Sequence, residues 1–225
     1  MIEFDTECRH LPEPSRATRT IPASSRGSLV GELVAGTGVG RVMVYESGLE
    51  LKTLLLLITD PDVVDVWDQP PAVSYVDPAG KERSHTFDFL ATMIDGSKRA
   101  IAVKPYERVQ KIDFESTLRL IGRQLPDGYA HQICLVTEQE LDPIAVHNAE
   151  LFHDYREPDK EADQAALSVT AKLVGAARLD ELSAFIGLGP RGLHALIRLI
   201  KSRRLLLTHH ERITPRTLVK PVEMH

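Results

Sequence analysis

The pattern of apolar and polar positions changes character several times along the chain. Residues 1–40 mix Pro, Ser, Arg and Gly without a sustained period and predict an N-terminal extension. From 45 to 58 the spacing turns helical, with Leu49, Leu54, Leu55 and Ile58 on one stripe. Asp60-Pro61 ends that stretch, because a proline disfavours helix for the residue before it. Strand signals follow at 63–67 and 72–76, the second closed by the turn sequence Asp77-Pro78-Ala79-Gly80. Two more extended runs, 84–94 and 99–104, flank Asp95-Gly96-Ser97, so the four segments predict an antiparallel meander. A helix over 111–124, a buried strand over 132–136 and a helix over 142–155 follow. This order predicts an α/β domain in which helices flank a mixed sheet.

Residues 156–160, Arg-Glu-Pro-Asp-Lys, read as a linker. Helical stretches at 162–177, 179–186 and 190–202 come next, the last two separated by Gly187 and Gly189, with Pro190 suited to open the third. Residues 203–208 and 212–219 predict a short hairpin. Three helices and a hairpin are the order of a small winged-helix-like domain. The chain therefore divides into an extension (1–40), an α/β domain (41–156) and a winged-helix-like domain (157–225).

Composition narrows this picture. With 43% hydrophobic and 26% charged residues, the 225-residue chain has the make-up of a globular protein. Its longest apolar run, 54–58, is far shorter than the ~20 residues of a membrane-spanning helix. The charged start, with Glu3, Asp5, Glu7 and Arg9, is unlike a secretory signal. Two cysteines, Cys8 and Cys134, are too few for a disulfide framework or a cysteine-based zinc site. A cytoplasmic location is the expectation. The net charge of -5 is unevenly placed: residues 160–225 hold 11 Lys and Arg against 6 Asp and Glu, and the remainder 16 against 26. A basic C-terminal module suits phosphate contact and an acidic first part suits a cation, although two domains differing in charge need have no such roles.

The residues that bear on chemistry lie between Glu50 and Lys104. A turn centred on Gly96 would place Asp88 opposite Lys104 on one face of a hairpin. Asp88 also lies between Phe87 and Phe89, in a segment otherwise fit for burial, where a carboxylate needs a partner. A cross-strand ion pair on a solvated face accounts for the two residues; so does a site, since Lys104-Pro105 ends the strand abruptly and puts the amine at the rim of the sheet.

The helix carrying Glu46 and Ser47-Gly48-Leu49-Glu50-Leu51, the segment Asp62-Val63-Val64-Asp65-Val66-Trp67-Asp68-Gln69-Pro70, the strand Thr86-Phe87-Asp88-Phe89-Leu90 and the strand Ile101-Ala102-Val103-Lys104-Pro105 together resemble the TnsA-like transposon endonucleases of the PD-(D/E)XK nuclease superfamily. The resemblance covers roughly 45–140. It implies a restriction-endonuclease-like fold and a metal-dependent DNA endonuclease, the subunit of a heteromeric transposase that hydrolyses phosphodiesters at transposon ends. It implies Glu50, Asp88 and Lys104 as catalytic residues. Glu50, Asp88 and the Val103 carbonyl would be ligands of Mg2+, with Mn2+ able to substitute. Its implied partners are DNA, a DDE-type transposase subunit and an ATPase regulator. One departure stands out: the superfamily usually has Glu, Asp or Gln two residues before the lysine, and this chain has Ala102. Glu46, one helical turn from Glu50, is the auxiliary candidate for that loss. A catalytically inactive DNA-binding or scaffolding subunit, and a stand-alone mobile-element or defence nuclease, are the alternatives.

Arg191, Arg198, Lys201, Arg203 and Arg204 fall on or just past the third C-terminal helix and are candidates for DNA or partner contact, although cations at a helix C-terminus also complement its dipole. His85 lies near the Asp88 strand as a candidate phosphate contact. Gln69 and Trp67 read as structural, and His209-His210 lack metal spacing. Gly36-Thr37-Gly38-Val39-Gly40 lacks the lysine of a phosphate loop.

Overall fold

A computed structural model describes residues 11–19 and 29–222. Of the expected extension, residues 1–10 and 20–28 lie outside the described residues. Glu13 bridges Arg41, and β1 (Gly31–Ala35) pairs antiparallel with β2 (Arg41–Tyr45). The glycine-rich stretch between them is their hairpin turn. At Gly40, φ is +65° and a Cβ would stand 2.8 Å from the Ala35 carbonyl, so only glycine closes this turn without strain. The hairpin straddles residue 40, where the sequence suggested a boundary.

Helix α1 (Gly48–Thr59) follows. Ser47 caps it by accepting the Glu50 amide, and Leu54 is fully buried beneath. Then come β3 (Val63–Asp68), the hairpin β4 (Val73–Val76) with β5 (Glu82–His85), β6 (Phe89–Met93) and β7 (Lys98–Val103). The extended run expected over 84–94 is thus two strands in two different sheets, broken at residues 86–88 where the chain leaves the small hairpin for the central one. Helices α2 (Tyr106–Ile112) and α3 (Phe114–Gly122) replace the single helix expected over 111–124. Asp113, at φ 47°, turns the chain between them. Strand β8 (Gln132–Val136) and helix α4 (Pro143–Asp154) complete this part.

The central sheet has the order β3-β6-β7-β8, antiparallel except for the parallel pair β7 and β8. Helices flank it, giving the mixed α/β architecture that the sequence pattern implies. Alternation assigns its two faces. Val66, Phe89, Ala91, Ile101 and Val103 pack with Met43 and Leu54 beneath α1 and the first hairpin. Leu90, Ala100 and Ala102 pack with Phe87, Phe114, Leu118 and Ile121 beneath α2 and α3.

Beyond residue 159 the chain forms α5 (Lys160–Thr170), the two-residue strand β9 (Ala177–Arg178), α6 (Leu179–Ile186), α7 (Pro190–Lys201), β10 (Leu205–Leu207) and β11 (Leu218–Pro221). The last two pair, and β9 adds to β11 as a third strand. Leu179, Leu196, Leu205 and Val219 form the centre of a separate core, which Leu151, Phe152 and Tyr155 at the end of α4 help to cover. Polar contacts also join the two parts. Asn148 of α4 donates to the Glu211 carbonyl and accepts the Ile213 amide, and Arg203 pairs with Asp60 and Asp62 in the turn between α1 and β3.

Candidate active site

The site grows out of two chain ends that the fold brings together, the N-terminus of α1 and the start of β6. At the helix end, Ser47-Gly48-Leu49-Glu50 forms a variant of the capping box. The Glu50 amide donates to Ser47 Oγ at 3.1 Å, the Ser47 hydroxyl donates to Glu50 Oε1 at 3.0 Å, and Glu50 Oε2 accepts the Glu46 amide at 2.7 Å. Glu50 is 8% exposed. Burial lifts its carboxyl above the ordinary carboxylate range, and the neighbouring Glu46 charge adds to this against the hydrogen bonds that oppose it.

At the strand end the expected register needs correction. The hairpin turns around Asp95, with Phe89 opposite Ile101 and Thr92 opposite Lys98. Continuing that register brings Asp88 level with Ala102, not Lys104. The displacement is two residues along the partner strand; no ion pair joins Asp88 to Lys104 among the described residues, and the two act on each other through their charges. The regular ladder stops at Asp88. Its amide donates to the Ile101 carbonyl, its carbonyl accepts the Gln69 amide, and its Oδ2 accepts the Val103 amide at 2.6 Å. Burial raises the Asp88 carboxyl to about 7, and the Glu50 charge is the next largest cause. The Glu50 charge thus acts on Asp88 and opposes its ionisation.

Lys104 completes the group. Its Nζ lies 4.7 Å from the centre of the Phe114 ring, and burial lowers its pKa against the attraction of Asp88 and Glu50. His85 stands edge-on to Phe87 and packs on the same Phe114 ring. Burial and the Lys104 charge push His85 down to about 4, so it is neutral at physiological pH. Ala102 is fully buried and offers no side-chain ligand.

The residues present fit a hard divalent cation. Glu50 and Asp88 are both oxygen donors in a desolvated place, and the Asp88 pKa is raised by burial and then by the Glu50 charge, which a cation would offset. The set is sparse: among the described residues, no group of three or more His, Cys, Asp or Glu side chains has an arrangement suited to a metal. Water and a DNA phosphate would have to supply the remaining positions, as is usual for Mg2+.

Glu46, the auxiliary candidate, has a partner of its own. It pairs with Arg19 at 2.5 Å, a residue that the sequence pattern left unnoticed. Arg19 follows a segment strapped across β3. Ser15 donates to Asp68, Arg16 donates to Asp65 and the Val66 carbonyl, and Trp67 Nε1 donates to the Arg16 carbonyl. Trp67 is therefore structural, as its setting in the sequence suggests. Gln69 is buried at φ 46°, its amide bonded to Asp88 and its carbonyl to Thr18. No periodic signal marks this strap, because each bond joins residues about fifty positions apart.

The C-terminal cations occupy other surroundings. Arg191 is bound to Asp159 and Glu161, Arg198 to Asp163 and the Tyr155 carbonyl, and Arg203 to Asp60 and Asp62. Lys201 is half-buried and its pKa is lowered by burial and by Arg156. Arg204 makes no ion pair among the described residues. Three of the five expected DNA-contact residues thus have carboxylate partners within the chain. His210 likewise meets Asp142 at 2.6 Å.

Residues 60–133 match the family model for the N-terminal domain of TnsA-like endonucleases. The matched span contains Asp88, Ala102 and Lys104 and ends before α4; Glu46 and Glu50 precede it. A search of curated proteins gives no match.

Proposed function

We propose that this chain, which carries a TnsA-like endonuclease domain, is the DNA-cutting subunit of a heteromeric transposase and hydrolyses phosphodiesters at transposon ends with Mg2+. The observation that carries the proposal is that the charges of Glu50 and Lys104 both act on Asp88 where the β6–β7 ladder ends, with the pKa of Asp88 raised to about 7. Such a cluster is costly to the fold, and cost of that kind concentrates at functional sites.

Glu50 and Asp88 would hold the ion, with the Val103 carbonyl as a further candidate ligand. A bound divalent ion supplies Lewis-acid activation of the water and of the scissile phosphate. The chain's own residues do the rest. Ser47 and the Glu46 amide fix the Glu50 carboxylate, and the Val103 amide fixes that of Asp88. Lys104, held over Phe114, brings an ammonium to phosphate oxygens that gain negative charge in the transition state. The winged-helix-like order of α5, α6, α7, β10 and β11 supports a docking role for the C-terminal part toward DNA, a DDE-type transposase or an ATPase regulator.

A second reading has its own observation. Ala102 removes the third side-chain ligand, and the capping bonds explain Glu50 without any metal, so the chain would be a non-cutting DNA-binding or scaffolding subunit. Calorimetry with Mn2+ separates the two. The nuclease predicts binding to the intact chain that falls at least tenfold in Asp88→Asn and Glu50→Gln. Absence of binding, or binding that ignores Asp88→Asn, supports the non-cutting subunit.

A further inference from the structure

Two features of the N-terminal strap have no part in the metal chemistry. The first is how completely its path is determined. Glu13 exchanges backbone bonds with Gly40 and Val42, Ser15 meets Asp68 at 2.5 Å, and Arg16 meets Asp65 at 2.7 Å. The Thr18 amide and hydroxyl both donate to the Gln69 carbonyl at 3.0 Å. Gln69 is itself bonded through its amide to the Asp88 carbonyl at 2.9 Å. The strap therefore ends on the residue that braces Asp88, and the next side chain along it is Arg19.

The second is where Arg19 lies. Its Nη2 is 2.5 Å from Glu46 Oε1, and the amide of Glu46 donates to the Glu50 carboxylate. Arg19 is 48% exposed at this rim, and its charge acts on both Glu50 and Asp88. A half-exposed surface pair of this kind contributes little to stability. The six anchoring bonds made by residues 13–18 are more than such a pair requires. A guanidinium presents a planar fork that matches phosphate oxygens two at a time, which an ammonium does not.

We propose that Arg19 is a phosphate-binding residue of this site, delivered by the 13–18 strap, and that on DNA binding it exchanges Glu46 for a backbone phosphate beside the bond that Lys104 attends. The ligand class is a nucleic-acid phosphodiester. Glu46 then acts as the holding partner of Arg19 in the free protein, which accounts for a third carboxylate near the site that points at a cation rather than at Asp88. The assignment rests on the nuclease function proposed above, and deepens it by adding a second cation on the helix side of the site.

The test is the affinity of the full chain for a short DNA duplex in Ca2+, measured at several salt concentrations for the intact protein, Arg19→Ala, Arg19→Lys and Glu46→Gln. Arg19→Ala is expected to weaken binding about tenfold and to lower the salt slope by about one, the effect of losing one phosphate contact. Arg19→Lys restores part of the affinity. Glu46→Gln raises it, because the competing carboxylate is gone. If the Arg19–Glu46 pair only anchors the strap, Glu46→Gln weakens binding as Arg19→Ala does, and the proposal is overturned. Equal affinity and slope for Arg19→Ala and the intact chain, or no duplex affinity at all, overturns it too. Thermal melts of each variant identify any loss that comes from misfolding, in which case Arg19→Lys carries the decision. Failure of the nuclease function is separately visible, as Mn2+ binding that does not depend on Asp88.

Discussion

Replacing Asp88 by asparagine is expected to stabilise the ion-free protein, and by an amount that grows with pH. Asparagine keeps an oxygen to accept the Val103 amide but removes the charge that burial and Glu50 oppose. The carboxyl of Asp88 sits at about 7 in the folded chain against an ordinary 3.8. Between those values the folded state holds a proton that the unfolded state has released, so wild-type stability falls as pH rises through this window and levels off above it. The full gap corresponds to a ceiling of about 4 kcal/mol. Solvent at this part-open site and relaxation around Glu50 reduce the expectation to about 2 kcal/mol, or roughly 4–8 °C in melting midpoint for a chain of this size.

The assay is thermal unfolding of both proteins in chelator at pH 4, 6 and 8. Comparison at equal pH cancels every other titration. Near pH 4 the two midpoints should nearly coincide; at pH 8 Asp88→Asn should be the more stable. Adding Mg2+ at about a hundredfold its dissociation constant should then raise the wild type by about 3 kcal/mol and leave the variant unmoved, reversing their order. A variant that is less stable than wild type by the same amount at all three pH values would refute the reasoning, since Asp88 would then be a structural acceptor and no more.

Three further outcomes are expected. Lys104→Met keeps the stem over Phe114 but removes the charge; strand cleavage by the complete transposase mixture should fall by about 10²–10³ while Mn2+ affinity stays within about twofold. Ala102→Gln places the ligand type common in the superfamily at a fully buried position, so overpacking should lower stability by about 1–3 kcal/mol in a denaturant melt, whatever it does for metal binding. Arg198→Ala removes a partly buried pair with Asp163 and a bond to the Tyr155 carbonyl; it should cost about 1–3 kcal/mol in the same melt. Its duplex affinity should change less than about threefold, far below the loss of a direct base or phosphate contact.

Elements with a clean period and clear stops were legible in the sequence. The strand at 132–136 and the helix at 179–186 have the bounds their patterns predict. The stretch 84–94 was not, because Phe87 and Phe89 are both buried while Asp88 between them leaves the ladder, so the residues read as one strand although the chain changes sheets there. Nor was the break at Asp113, where a left-handed residue separates two helices whose apolar positions continue in phase. Asp88 and Lys104 read in the sequence as opposed residues; the register is two residues off and no ion pair joins them among the described residues, although each charge acts on the other. Arg19 was not legible at all. Its placement depends on side-chain bonds to Asp65, Asp68 and Gln69, and bonds of that range leave no trace in local composition.

The same elements show how the charged site is tolerated. Helix α1 is held at both ends by groups outside its own ladder: Ser47 and the Glu46 amide at the start, and the turn Asp60-Pro61-Asp62 at the finish, where Arg203 binds both aspartates. Moving Glu50 away from Asp88 would relieve their repulsion, but it would also break the capping bonds and pull the helix against that second anchor. Asp88 is no freer, because its carbonyl holds Gln69 and its carboxylate holds the β7 amide of Val103. Relief must therefore come from protonation or from a cation. If Asp88 holds a cation, as proposed, its protonation near neutral pH makes it a weak ligand, so binding would release a proton and strengthen as pH rises through about 7. On the proposed function, the constraint that destabilises the ion-free fold is the one that would prepare the site for a cation, and the C-terminal part, through Arg203, belongs to that constraint.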